Sequence, residues 1–102
     1  MKMPASHIQG PFLVRVGEYE GLEPQLTDLM CPSLQEARRL CLEEIDDRGC
    51  GASTWAGGEV LDEATKQCVA VVSYNGRVWW PGKKNPEGLF VPDQNLEFDL
   101  DA

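Results

Sequence analysis

Histidine occurs once in the chain, as His7 beside Ser6 near the N-terminus. Acid–base or nucleophilic catalysis needs a proton carrier held against a nucleophile and oriented by a third group, and one histidine in a segment expected to be loose does not supply that. The chain is therefore expected not to be an enzyme. Close Cys-x-x-Cys pairs are also missing. Cys31, Cys41, Cys50 and Cys68 are separated by nine, eight and seventeen residues, which fits neither a zinc site nor a dense secreted disulfide framework. They read as reduced, mostly buried small hydrophobes, with one bridge between two of them as the alternative. No stretch of about 18 apolar residues exists to cross a membrane, and the opening MKMPASHIQGPF lacks the apolar run of a signal peptide. A cytoplasmic protein with no membrane partner is expected.

Basic residues are scarce, at 9 against 17 acidic ones, giving a formal charge of −8. That sign opposes direct binding to nucleic acid, where affinity comes from neutralising phosphates with Lys and Arg. It suits basic partners, including proteins whose channels normally hold nucleic acid, or else serves solubility alone. Lys83-Lys84 is a two-residue basic cluster outside the expected helix and reads as a solvated turn. The glycines of the stretch GCGAST, at 49 to 54, follow a helix and have no Walker lysine, so they read as a helix stop and strand entry. The adjacent acids Glu43-Glu44 and Asp46-Asp47 point in different helical directions, and no EF-hand pattern occurs. No metal or other cofactor is expected.

What is present is the composition of one soluble folded domain of 102 residues, 42% hydrophobic and 25% charged. Residues 11 to 19 alternate, placing Phe12, Val14 and Val16 on one face of a first strand. Residues 18 to 32, punctuated by Gly and Pro, predict a loop with room for a short turn of helix, whose Leu26, Leu29 and Met30 touch the core. Ser33-Leu34-Gln35-Glu36 is a capping box, so a helix is expected from there to about Arg48, closed by Gly49. Its stripe of Leu34, Ala37, Cys41 and Ile45, flanked by Leu40 and Leu42, is the face to be buried. Residues 50 to 61 predict a second strand kinked at Gly57-Gly58, and residues 67 to 74 a third. A two-residue turn at Asn75-Gly76 leads to a fourth in Arg77-Val78-Trp79-Trp80. The prediction is an α+β domain over residues 1–82, a small antiparallel sheet with one amphipathic helix on a face in the order β-α-β-β-β. Residues 83–102 are expected to be an irregular, proline- and glycine-rich acidic arm of the same domain.

Two surfaces stand out as candidate partner-binding sites. Adjacent tryptophans in a strand point to opposite faces; the two-residue turn sets Val72 opposite Trp79 and Val71 opposite Trp80, which assigns Trp80 to the helix-covered core. Tyr74, Arg77 and Trp79 then share the other face, and these residue types are enriched at the energetic centres of interfaces. Covering by the C-terminal arm, a second copy or a foreign protein are the alternatives there. On the helix, Glu36, Glu43 and Asp47 fall almost in line, with Arg39 able to pair with either glutamate. The row is either a solvated face or an imitation of a phosphate backbone.

These features suggest a non-enzymatic binding protein that occupies a surface of a larger partner, and the acidic charge suits a partner whose basic channel normally holds nucleic acid. In size, acidity and compact β-α-β-β layout over residues 11 to 80, the chain resembles the small phage and mobile-element proteins that inhibit bacterial defence, anti-CRISPR proteins above all. The resemblance is of overall character and brings no family residue with it. It implies action in the host cell on a CRISPR effector or its recruited nuclease. Glu36, Glu43 and Asp47 would serve DNA mimicry, and Tyr74, Arg77 and Trp79 a steric block. An immunity or antitoxin protein against a basic nuclease is the neighbouring reading, and a homo-oligomeric phage structural protein, with Trp79 between subunits of a possible homodimer, is the reading from another class.

Overall fold

A computed structural model describes residues 2–101. They form a mixed α+β domain of one helix and a seven-stranded sheet. The strands are β1 (Lys2–Pro4), β2 (Phe12–Glu20), β3 (Glu23–Cys31), β4 (Glu59–Asp62), β5 (Cys68–Val72), β6 (Val78–Lys84) and β7 (Phe90–Asp99); the helix α1 spans Leu34–Arg48. Their order in the sheet is β1-β7-β6-β5-β4-β2-β3, antiparallel except for the β1–β7 pair. The predicted order β-α-β-β-β is thus incomplete. No helix among the described residues is long and apolar enough to cross a membrane.

The largest difference lies before the helix, where the expected loop is β3. It pairs with β2 from Phe12↔Cys31 to Glu20↔Glu23, leaving Gly21-Leu22 as a two-residue turn. The punctuation read as loop is turn chemistry at Gly21 and an edge position at Pro24. Arg15 O, Gly17 O and Tyr19 N all bond toward the β4 side, so the even-numbered residues of β2 face β3. By the alternation of an antiparallel ladder, β3 then turns its odd-numbered backbone groups inward and its even-numbered ones outward. Pro24, which has no N–H, is therefore on the outward set. Leu29 packs against the core, whereas Met30 is 61% exposed.

The helix follows its local signals. Ser33 accepts the Glu36 N–H at 3.1 Å, and Gly49 closes the C-terminus in the left-handed region. The Glu36 carboxylate turns to Arg39, so only half of the expected capping box forms. Leu34, Ala37 and Cys41 are buried against Phe12, Val14, Val16, Val60, Ala70, Val72 and Val78, each large apolar side chain contributing roughly 1.5–3 kcal/mol by burial. The segment expected as a second strand forms only β4 at its end. Its earlier part is a turn that meets β2 through an isolated Glu18–Trp55 bridge. That approach is close: a Cβ at Gly57 would lie 2.6 Å from Arg15 O.

The β5–β6 hairpin differs by one residue from the predicted register, with Val71 opposite Trp79 and Val72 opposite Val78. Ser73 O accepts from Gly76 N at 2.9 Å, and Ser73 N donates to Arg77 O at 2.8 Å. The turn is therefore a three-residue loop with Gly76 in the left-handed conformation, at φ +85°. Consequently Ala70 and Val72, rather than Val71, face the helix. The segment expected as an irregular arm contains β7, which pairs with β6 and β1. Interrupted register between β6 and β7 lets the tip of this hairpin arch over the sheet face opposite the helix, where the Phe90 N–H reaches Glu59 Oε2 at 3.1 Å.

Candidate functional site

The face opposite the helix carries a second, smaller buried set, including Leu61, Val71, Trp79 and Leu89. Trp79 is 8% exposed. Its indole N–H donates to Ser73 Oγ at 3.1 Å, and the Arg77 guanidinium lies 5.2 Å from its ring centre. Arg77 is in turn held by Glu97 through two hydrogen bonds of 3.0 and 3.3 Å. The expected pair of Arg77 and Trp79 is thus brought together, but as a packed and capped unit. Tyr74, 39% exposed, turns to the end of the helix and donates to Cys50 O at 3.2 Å. Trp80 lies on the helix side, its ring centre 5.2 Å from that of Phe98.

On α1, Arg39 joins Glu36 and Glu43, donating to both. The Arg39 hydrogen bond, ahead of its charge, holds the Glu36 carboxyl below its ordinary pKa. Asp47 is exposed one turn further on. The row of three carboxylates is therefore interrupted by a cation, which weakens it as a continuous anionic strip.

Sequence reasoning missed the residues that organise the arched face. Glu59 is 4% exposed; its Oε1 accepts from Arg15 Nη1 at 3.2 Å and its Oε2 from the Phe90 N–H. Arg15 also donates to Asp28 at 3.1 Å. A carboxylate following two glycines and preceding Val60-Leu61 was the only signal. Around this pair lies a cleft of about 340 Å³ lined by Leu13, Leu61, Phe90, Cys68, Lys66 and Lys84 among others. Burial pushes the Cys68 thiol up to about 11, with Glu59 adding to it, so it is a protonated, poor nucleophile at neutral pH. The four cysteines are unbridged. Among the described residues no group of three or more His, Cys, Asp or Glu is placed to hold a metal. The cleft is a structural joint in which Glu59 ties the tip of the β6–β7 hairpin to β4.

The acidic end of the β2–β3 hairpin is the third place sequence reasoning did not find, because it predicted no hairpin there. Glu20 and Glu23 are directly paired across the two strands. Between them stands Leu22, 85% exposed, and Glu87 lies beside Leu22 and Tyr19 around a shallow recess. Neither Glu20 nor Glu23 has an ion pair among the described residues. No protein-family model, curated protein or solved structure matches the chain.

Proposed function

We infer that the protein is a non-enzymatic binding protein that docks on a basic surface of a larger, nucleic-acid-binding protein, as an anti-CRISPR protein would, using the tip of the β2–β3 hairpin. The observation that carries this reading is the Glu20–Glu23 pair flanking the exposed Leu22. Like charges directly opposed across strands destabilise a hairpin, and an 85% exposed leucine at the apex adds nothing to the core. Both features become favourable against a partner that offers Lys or Arg around an apolar pocket. The chain's charge of −8 would steer such an encounter.

The test is co-expression with a panel of CRISPR effectors and basic nucleases, with cleavage of a target plasmid as the readout. Protection is expected from wild type and not from the double variant Leu22→Ala, Glu23→Lys, and purified complexes should weaken steeply with salt. Protection that survives the double substitution moves the docking surface away from the tip. Absence of protection across the whole panel refutes the inhibitor reading.

A further inference from the structure

The two edges of the sheet are built differently. One edge is β1, only three residues long. The other is β3, nine residues in unbroken register with β2 and with no bulge. Proteins commonly blunt an exposed edge with lysines, prolines, bulges or a short strand. β3 has no lysine, and its one proline is at the turn end. The outward backbone groups of Leu26, Asp28 and Met30 make no hydrogen bond among the described residues.

We propose that β3 is a self-association edge, pairing antiparallel with β3 of a second copy about a two-fold axis at Thr27. The sequence of the strand is complementary to itself in this register. Leu26 lies opposite Asp28 of the second copy, Met30 opposite Pro24, and Leu29 opposite Gln25. No acid faces an acid. The 61% exposed side chain of Met30 gains an apolar neighbour in Pro24, on the side of the sheet away from the helix. About six backbone hydrogen bonds form between the copies, the missing N–H of Pro24 costing one at each end. Moving the axis to Asp28 sets two carboxylates face to face, and moving it to Leu26 shortens the ladder. A slip of half a residue would put the helices on opposite faces and oppose inward to outward groups. The register centred on Thr27 is therefore selected by charge and by hydrogen bonding together. This inference stands apart from the proposed function. The two hairpin tips would point in opposite directions, the Glu23 residues about 27 Å apart.

The test measures solution mass together with site-specific cross-linking of the full chain. Wild type is expected to approach about 23 kDa, twice the 11.3 kDa of one chain, as concentration rises. Across the axis the two Thr27 Cα atoms would be about 4.5 Å apart, as in a non-hydrogen-bonded pair, so Thr27→Cys should form a covalent dimer under mild oxidation. Gln25→Cys, with its copies about 14 Å apart, and the wild type with its own cysteines should not. Thr27→Lys, which places two cations together at an exposed position, should be a folded monomer by circular dichroism. A wild type that stays at 11.3 kDa up to its solubility limit overturns the proposal. So does a dimer in which Gln25→Cys cross-links as readily as Thr27→Cys, because the contact would then lie elsewhere.

Discussion

Replacing Trp79 by alanine separates a structural from a docking role for this side chain. At 8% exposure, with Ser73 Oγ satisfying its N–H and Arg77 over its ring, the indole is packed as a core residue. Truncating a buried aromatic to alanine costs about 3–5 kcal/mol, and for a domain of this size that lowers Tm by about 15–30 °C. Trp79→Phe keeps most of the apolar area and loses only the hydrogen bond and part of the cation–π contact, so about 1–2 kcal/mol is expected. Ser73→Ala leaves a nearly buried N–H without its partner and should cost about 1 kcal/mol. Urea titration followed by tryptophan fluorescence and far-ultraviolet circular dichroism measures all three, with Trp55 and Trp80 as remaining reporters. A Trp79→Ala protein within about 1 kcal/mol of wild type would refute the packing argument and return Trp79 to the surface as an anchor.

Glu59→Ala removes the acceptor of both Arg15 and the Phe90 N–H; because Arg15 is 37% exposed and keeps Asp28, the loss should be about 2–3 kcal/mol rather than that of a fully buried pair. Faster amide exchange at Phe90 than at β2 positions would mark the release of the hairpin tip, and unchanged exchange would deny the tether. Burial also raises the thiols of Cys31 to about 11 and of Cys41 to about 12. Ionisation then begins in the unfolded chain near pH 9 while the folded thiols remain protonated, so the unfolded state binds fewer protons and stability falls as pH rises from about 9 to 12. Urea midpoints measured through that range should decline, less so in a Cys41→Ala variant once its cavity cost is subtracted; a flat profile would contradict the burial of these groups.

How much was legible in the sequence depended on how local each signal was. The helix from Leu34 to Arg48 was readable because Ser33, the Leu34–Ala37–Cys41 stripe and Gly49 act within a few residues of one another. The strand β3 was not, because an edge strand is only partly buried: its exposed positions blur the alternation, and Gly21 and Pro24 look like loop punctuation until the partner strand is known. Asn75-Gly76 fits both a two-residue turn and the three-residue loop observed. The choice rests on Ser73, whose N–H and C=O both close the loop. The one-residue shift exchanged Val71 with Val72 but left Trp80 on the helix side, since the left-handed Gly76 absorbs the extra residue. Glu59 was invisible for a different reason. Its partners lie 44 and 31 residues away, and nothing in the run Gly57-Gly58-Glu59-Val60 announces them.

The distribution of ion pairs bears on where an acidic protein can use its charge. Arg39 is committed to Glu36 and Glu43, Arg48 to Glu18 and Glu44, Arg77 to Glu97, Lys66 to Glu63, and Arg15 to Asp28 and Glu59. Carboxylates so paired present a partner with a short-range dipole, whose field fades within the Debye length of about 8 Å. The field available at longer range comes from acids without such a cation, and on the β2–β3 tip two of these face each other beside Leu22. Glu23 is also the first residue of the strand proposed to self-pair. An antiparallel dimer would therefore place one such tip at each end of its shared ladder, about 27 Å apart. Two weak contacts at that spacing on one basic surface would bind far more tightly than either alone, provided the surface offers both positions at once. Weakening self-association with Thr27→Lys should then lower inhibition more at low protein concentration than at high. A loss caused by damage to the tip itself would leave the solution mass of the dimer unchanged, whereas Thr27→Lys would lower it to that of one chain.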